Sequence, residues 1–156
     1  MQKRSLSDLP LPCPVARSLD VFGEWWSLLI VRDAFRGARR FEDFRALGAA
    51  DNILSARLRK LVDEGIFEKR AVSATSKHYE YVLTRKGRDL MVVLAAIRTW
   101  GERWTKGKDA TRLSHGSTGH SVSVKAWCAE CDMAISVDDI TVQRPLAGQA
   151  ATGGRG

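Results

Sequence analysis

The sequence predicts a mainly α fold with a small β-ribbon, a long C-terminal helix and a thin, Cys-containing tail. Three observations carry this. Residues 52–64 place Leu54, Leu58 and Leu61 on one helical side, and Gly65 closes the run. Two strand-like segments follow, 66–72 and 79–83, joined by the polar stretch Ser73-Ala74-Thr75-Ser76-Lys77-His78. Thr84 is then a good N-cap for an apolar-periodic helix that reaches Trp104.

The other elements fall in order around these. Residues 1–12 form a polar arm whose Leu9-Pro10-Leu11-Pro12 stretch breaks up any apolar run, so no signal peptide is expected. Pro14 suits the first turn of a helix to Phe22, with Val15, Ala16, Leu19 and Phe22 on its apolar side. Gly23 punctuates, and a second helix covers 25–35 before Gly37. A short third helix covers 42–47, and residues 48–51 turn into the fourth. Beyond Lys106 the composition changes to Gly, Ser, Thr and Lys. Residues 121–127 alternate as a strand does, Cys128-Ala129-Glu130-Cys131 makes a tight knuckle, and 133–142 reads as a further strand. The expected organisation is an arm over 1–12, a folded domain over 13–104, an extension over 105–146 and a disordered end over 147–156.

The charge follows the same division. The 156 residues carry 25 Lys and Arg against 18 Asp and Glu, a net +7, with an isoelectric point near 9.7. Residues 1–104 hold 19 basic and 13 acidic side chains, so the excess sits in the helix–ribbon region. A polyanionic partner is implied, and the charge alone would also suit an anionic membrane surface. No apolar run approaches the ~18 residues of a membrane span. Three cysteines are too few and too odd a set for a disulfide framework, which points to a reducing cytoplasm. An enzyme finds no support: there is no Ser-His-Asp order, paired-carboxylate signature, phosphate loop or complete metal motif.

A short basic helix beside a ribbon with a basic tip suits double-stranded DNA, the helix in the major groove and the ribbon on the backbone. With Leu54 buried, Asn52, Ala56 and Arg59 face outward, flanked by Ser55 and Lys60. These are the expected groove-reading residues. Arg57 lies nearer the buried edge, where a phosphate contact or a structural pair is open to it. Arg36, Arg39 and Arg40 can clamp phosphates, and Ser76, Lys77 and His78 form the wing tip. Leu90, Val93, Leu94, Ile97, Trp100 and Trp104 make the long helix too apolar for water, so a second copy is expected to cover it.

These residues also resemble a known family. Cys13-Pro14-Val15-Ala16-Arg17-Ser18-Leu19-Asp20-Val21-Phe22-Gly23, then Trp26, Leu29-Ile30-Val31-Arg32, Gly37 and Arg40-Phe41 resemble the HxlR-type, MarR-related winged-helix regulators. So do residues 52–61 with Glu64-Gly65-Ile66, residues 79–87, and the Trp100-Gly101-Glu102-Arg103-Trp104 ending. The resemblance implies a bacterial regulator that dimerises through terminal helices and binds a two-fold operator. Repression by operator occupancy is the expected mode. A winged-helix adaptor for protein contacts is the alternative.

Cys13 opens the first helix, whose dipole favours a thiolate. The resemblance implies an oxidant-sensing cysteine there, and a small unreactive residue is the plainer reading. Cys128-x-x-Cys131 is half of a zinc ligand set, which His115 and His120 would complete. A hairpin with two free thiols and a dithiol redox pair are the other readings. No cofactor is required beyond that candidate zinc. Phe22, Trp25, Trp26, Trp100 and Trp104 suit core and interface, or an effector pocket for a small molecule.

Overall fold

The computed structural model describes residues 13–73, 78–107 and 111–143. The arm over 1–12, the wing residues Ser76 and Lys77, and the end over 147–156 lie outside the described residues. The chain divides into two units, Met1–Thr111 and Arg112–Gly156.

The first unit begins with α1 (Pro14–Phe22), α2 (Trp25–Phe35), α3 (Phe41–Arg45) and α4 (Asp51–Asp63). It continues with β1 (Phe67–Ala71), β2 (Tyr79–Leu83) and α5 (Arg85–Trp104). Pro14 occupies the first turn of α1, where its missing N–H costs no helical bond. The expected third helix is shorter than 42–47, because residues 46–47 turn out of it and Leu47 N–H donates to Phe44 O at 3.1 Å. β1 and β2 form an antiparallel ribbon in the register Phe67↔Leu83, Lys69↔Tyr81, Ala71↔Tyr79.

One core joins these elements. Ile30 and Val31 of α2, Phe44 of α3, and Leu54, Leu58 and Leu61 of α4 have no exposed surface. Ile66, Phe67 and Leu90 complete the cluster. Phe44, Phe67 and Tyr81 meet edge-on, with ring centroids 6.2–6.3 Å apart. Offset or edge contacts of this kind match the positive ring edge to the negative ring face.

The joint between α4, β1 and α5 sets the angle of the whole unit. Gly65 takes φ +68, a left-handed conformation that other residues adopt at a cost. Its carbonyl accepts from Thr84 Oγ1 at 2.6 Å, and Ile66 O accepts from Thr84 N–H at 3.0 Å. Thr84 caps α5 as expected, its hydroxyl accepting from Gly87 N–H at 3.1 Å. Gly87 is required by space: a Cβ there would lie 2.2 Å from Ile66 O.

The second unit is sparer. β3 (Trp127–Cys128) and β4 (Met133–Ala134) pair antiparallel, and Ser114 bridges Ser121. The expected strands over 121–127 and 133–142 are therefore mostly irregular. Ser136 explains part of this. Its hydroxyl accepts from Asp138 N–H at 3.3 Å and starts a 3-10 turn over Val137–Asp139. Short polar side chains that bond their own backbone favour such turns over strand ladders.

Candidate nucleic-acid interface

α4 buries its leucines and turns Asn52, Ser55, Ala56 and Arg59 outward, all exposed. Asp51 in its first turn is an acid on the side where phosphates would come. Arg45 answers it with two bonds, Nε–Oδ1 at 3.0 Å and Nη2–Oδ2 at 3.1 Å. Both partners are exposed, so the pair matters more for local charge than for stability.

Arg59 continues into a cleft between α4 and the ribbon. Ser55, Arg59, Val62, Lys69 and Tyr81 line it, around a volume of about 280 Å³. Burial raises the Tyr81 phenol above its ordinary range, with the Arg59 charge acting against it, so the hydroxyl stays neutral and can donate. Lys69 sits 4.3 Å from the centre of the Tyr79 ring. Neither Lys69 nor Tyr81 was singled out by the sequence reading. The strand alternation was the available signal, since it sets them opposite each other across the ribbon.

The other basic residues separate into two groups. Arg39 and Arg40 stand at the ribbon's edge. Arg39 O accepts from Tyr81 N–H at 2.7 Å, which ties this basic segment to β2. Arg40 lies 3.7 Å from Glu80. Asp43 fixes the segment from below, its Oδ2 accepting from the N–H groups of Arg39 and Arg40 at 2.9 and 2.8 Å. Those two backbone donors, Arg39 first, hold the Asp43 carboxyl below its ordinary value, and the Arg40 charge adds to them. His78 is paired through its carbonyl with Val72 N–H at 3.1 Å, next to the ribbon's tip.

Three of the expected basic contacts bond within the protein, Lys60 and Arg57 half-buried and Arg36 exposed. Lys60 donates its ammonium to Asp20 O in the last turn of α1, where helix carbonyls lack partners and the dipole is negative. That corrects its place on the reading face. Arg57 pairs with Glu24 at 3.4 Å, both side chains under a third exposed, so it braces α4 against the start of α2. Arg36 donates to Thr111 Oγ1 at 2.9 Å and lies 3.7 Å from Asp33.

The long helix also differs from expectation at one residue. Leu90 is 7% exposed and belongs to the core, so it is corrected from the expected partner-facing set. Val93 and Leu94 are partly buried against that core. Ile97, Trp100 and Trp104 remain open at 49, 62 and 64% exposure, with Val92 beside them at 64%. The aromatic set is divided: Trp25 is exposed, Trp26 and Phe22 are half-buried, and Trp100 and Trp104 are open.

In the second unit the four candidate zinc ligands do not converge. Among the described residues no three His, Cys, Asp or Glu side chains are placed to hold a metal ion. The His115 ring instead has Nδ1 3.0 Å from Thr118 Oγ1 and 3.2 Å from Ser117 Oγ. His115 N–H donates to His120 O at 2.8 Å. All three cysteines are free thiols. Cys13 is half-buried as the N-cap of α1, its carbonyl accepting from Arg17 N–H at 3.1 Å. The Cys131 N–H and thiol, and then the Glu130 N–H, act on the Cys128 sulfur to hold its pKa below the ordinary thiol value.

A polar-faced helix packed on a three-helix core, with a two-stranded ribbon at its side, defines a winged helix-turn-helix protein that binds DNA. Residues 21–109 match the HxlR-like helix-turn-helix family, and the chain belongs to it. Rv3095 of Mycobacterium tuberculosis, an uncharacterized HTH-type transcriptional regulator, is 35% identical over 130 residues, 81% of this chain and 82% of the relative. Among solved structures, PA1607, a candidate transcription factor, is 40% identical with a TM-score of 0.78, over 91% of this chain and all of that one. The redox regulator HypR in its reduced form is 30% identical with a TM-score of 0.54, over 58% of this chain and 92% of that one. The protein is a transcription regulator and not an enzyme. No helix among the described residues is long and apolar enough to cross a membrane.

Proposed function

We propose that the protein is a repressor that occupies a two-fold operator as a homodimer. The observation that carries this is the outward row Asn52, Ser55, Ala56 and Arg59, continuous with the Lys69–Tyr81 cleft. Arginine can grip guanine O6 and N7, asparagine can pair with adenine, and Ala56 leaves room for a thymine methyl. Arg39 and Arg40 at the ribbon's edge suit phosphates flanking the groove. Ile97, Trp100 and Trp104 are an apolar row that a second copy would cover, setting two reading helices about one DNA turn or a multiple apart. The likeness to HypR supports a thiol response as the control on occupancy, with Cys13 at the α1 N-terminus as the sensing residue.

The test is salt-dependent binding to genomic fragments selected by the protein. Affinity falls steeply with salt, because bound Lys and Arg release counterions from phosphate. Arg59→Ala loses about 1–3 kcal/mol at the selected site and relaxes base preference there. Trp100→Asp with Trp104→Asp turns a dimer into a monomer by light scattering and weakens operator binding. Unchanged binding in Arg59→Ala, or a monomeric parent protein that binds a palindrome tightly, would defeat the reading.

A further inference from the structure

We infer that Cys128 and Cys131 form a reversible dithiol–disulfide couple that exchanges with low-molecular-weight disulfides. The two thiols sit on one turn, between β3 and β4, whose register pairs Trp127 with Ala134 and Cys128 with Met133. Cys128 ends β3 and Cys131 follows three residues later in the turn that returns to Met133, so the hairpin holds both thiols at one end. Neither is locked away: Cys128 is half-buried and Cys131 is exposed. A tight turn brings its end Cα atoms within ~7 Å, and a disulfide spans about 4.4–6.8 Å. Closing the bond therefore asks for little backbone movement.

The surroundings favour this chemistry over the alternatives in the same segment. His115 and His120 are engaged in their own loop, and no third metal-ligating side chain joins the pair among the described residues. The hairpin has no buried residue in it, so a disulfide there disrupts no packing.

The exchange balances in two steps. The Cys128 sulfur, as thiolate, attacks one sulfur of a disulfide RSSR. The S–S bond breaks, a mixed disulfide Cys128–SR forms, and RS⁻ leaves and takes up the proton that Cys128 released. Cys131 then loses its proton to solvent and attacks the Cys128 sulfur. The second RS⁻ leaves and is protonated. Two protein thiols are oxidised, one RSSR is reduced to two RSH, and no other oxidant is needed.

The test uses the full-length protein, oxidised glutathione, and mass analysis of the tryptic peptide spanning residues 126–155, since Arg144 precedes Pro145 and is not cleaved. The expected product is that peptide lighter by two hydrogens, with alkylatable thiols falling from three to one per chain, and dithiothreitol restoring all three. Cys13→Ser leaves this peptide chemistry unchanged. Cys131→Ser stops at the mixed disulfide on Cys128, which a folding defect would not produce. Three outcomes overturn the inference. The pair stays fully alkylatable while Cys13 reacts. Cys13 is found bridged to the tail instead. Or the two thiols alkylate only after a chelator removes one zinc per chain. Operator binding is a separate readout, so failure of the repressor reading leaves this result intact.

Discussion

In the winged-helix unit, Phe44, Leu54, Leu58 and Leu61 have no exposed surface and the chain closes over them. In the tail, Trp127, Met133, Val137, Ile140 and Val142 stand between 51 and 91% exposed, and no described residue of 111–143 is buried. The first unit is held by apolar surface removed from water. The second is held by turns and backbone hydrogen bonds, each of small net value. Local chemistry therefore matters differently in the two. A side chain in the first unit acts through packing, while one in the tail is free to react without cost to the fold.

That contrast can be broken at four points. The largest effect belongs to Phe44→Ala, which empties the ring cluster with Phe67 and Tyr81 and loses about 3–5 kcal/mol in urea unfolding. A loss below about 1 kcal/mol would mean that the core is not the source of stability. Gly87→Ala comes next. Its new Cβ must push α5 off Ile66 O, at a cost of about 1–3 kcal/mol and a lower thermal midpoint. A stabilised variant would show that the close approach is absent.

Asp43→Ala is smaller, about 0.3–1.5 kcal/mol, because it removes the carboxylate that caps α3. The pH dependence has a definite sign. The folded carboxyl ionises below its ordinary value of 3.8, so its contribution is complete above that pH and is lost as pH falls below it. Parent and variant unfolding curves should converge below that value; a gap that persists in strong acid would point to a different role. Trp127→Ala is smallest, within about 0.5 kcal/mol, since the ring is 60% exposed. A larger loss would show that the tail has packing of its own.

Legibility in the sequence follows the same line. The long helices could be read from the 3.6-residue spacing of their apolar residues, because one face of each is buried, and the ribbon from two strand-like segments around a polar stretch. Thr84 was readable as a cap from its place before Arg85-Lys86-Gly87. In the tail the same rule overextended the strands. With nothing buried, alternation between polar and apolar residues there has no core to answer, and Ser136 and the two aspartates set the local turn.

The sequence by itself determined the winged-helix architecture and the outward direction of Asn52, Ser55, Ala56 and Arg59, since the leucine row leaves those positions nowhere else to point. Tertiary structure alone decided which neighbours remain for DNA. Arg59 and Lys60 are adjacent in sequence but about 100° apart around the helix. Arg59 opens onto the cleft, while Lys60 reaches the carbonyl end of α1. Only the tertiary structure brings Arg59 beside Lys69 and Tyr81, takes Leu90 into the core and leaves Ile97, Trp100 and Trp104 outside. Periodicity defines a face of one element; which element packs against that face depends on contacts between segments distant in sequence, and these no local pattern records.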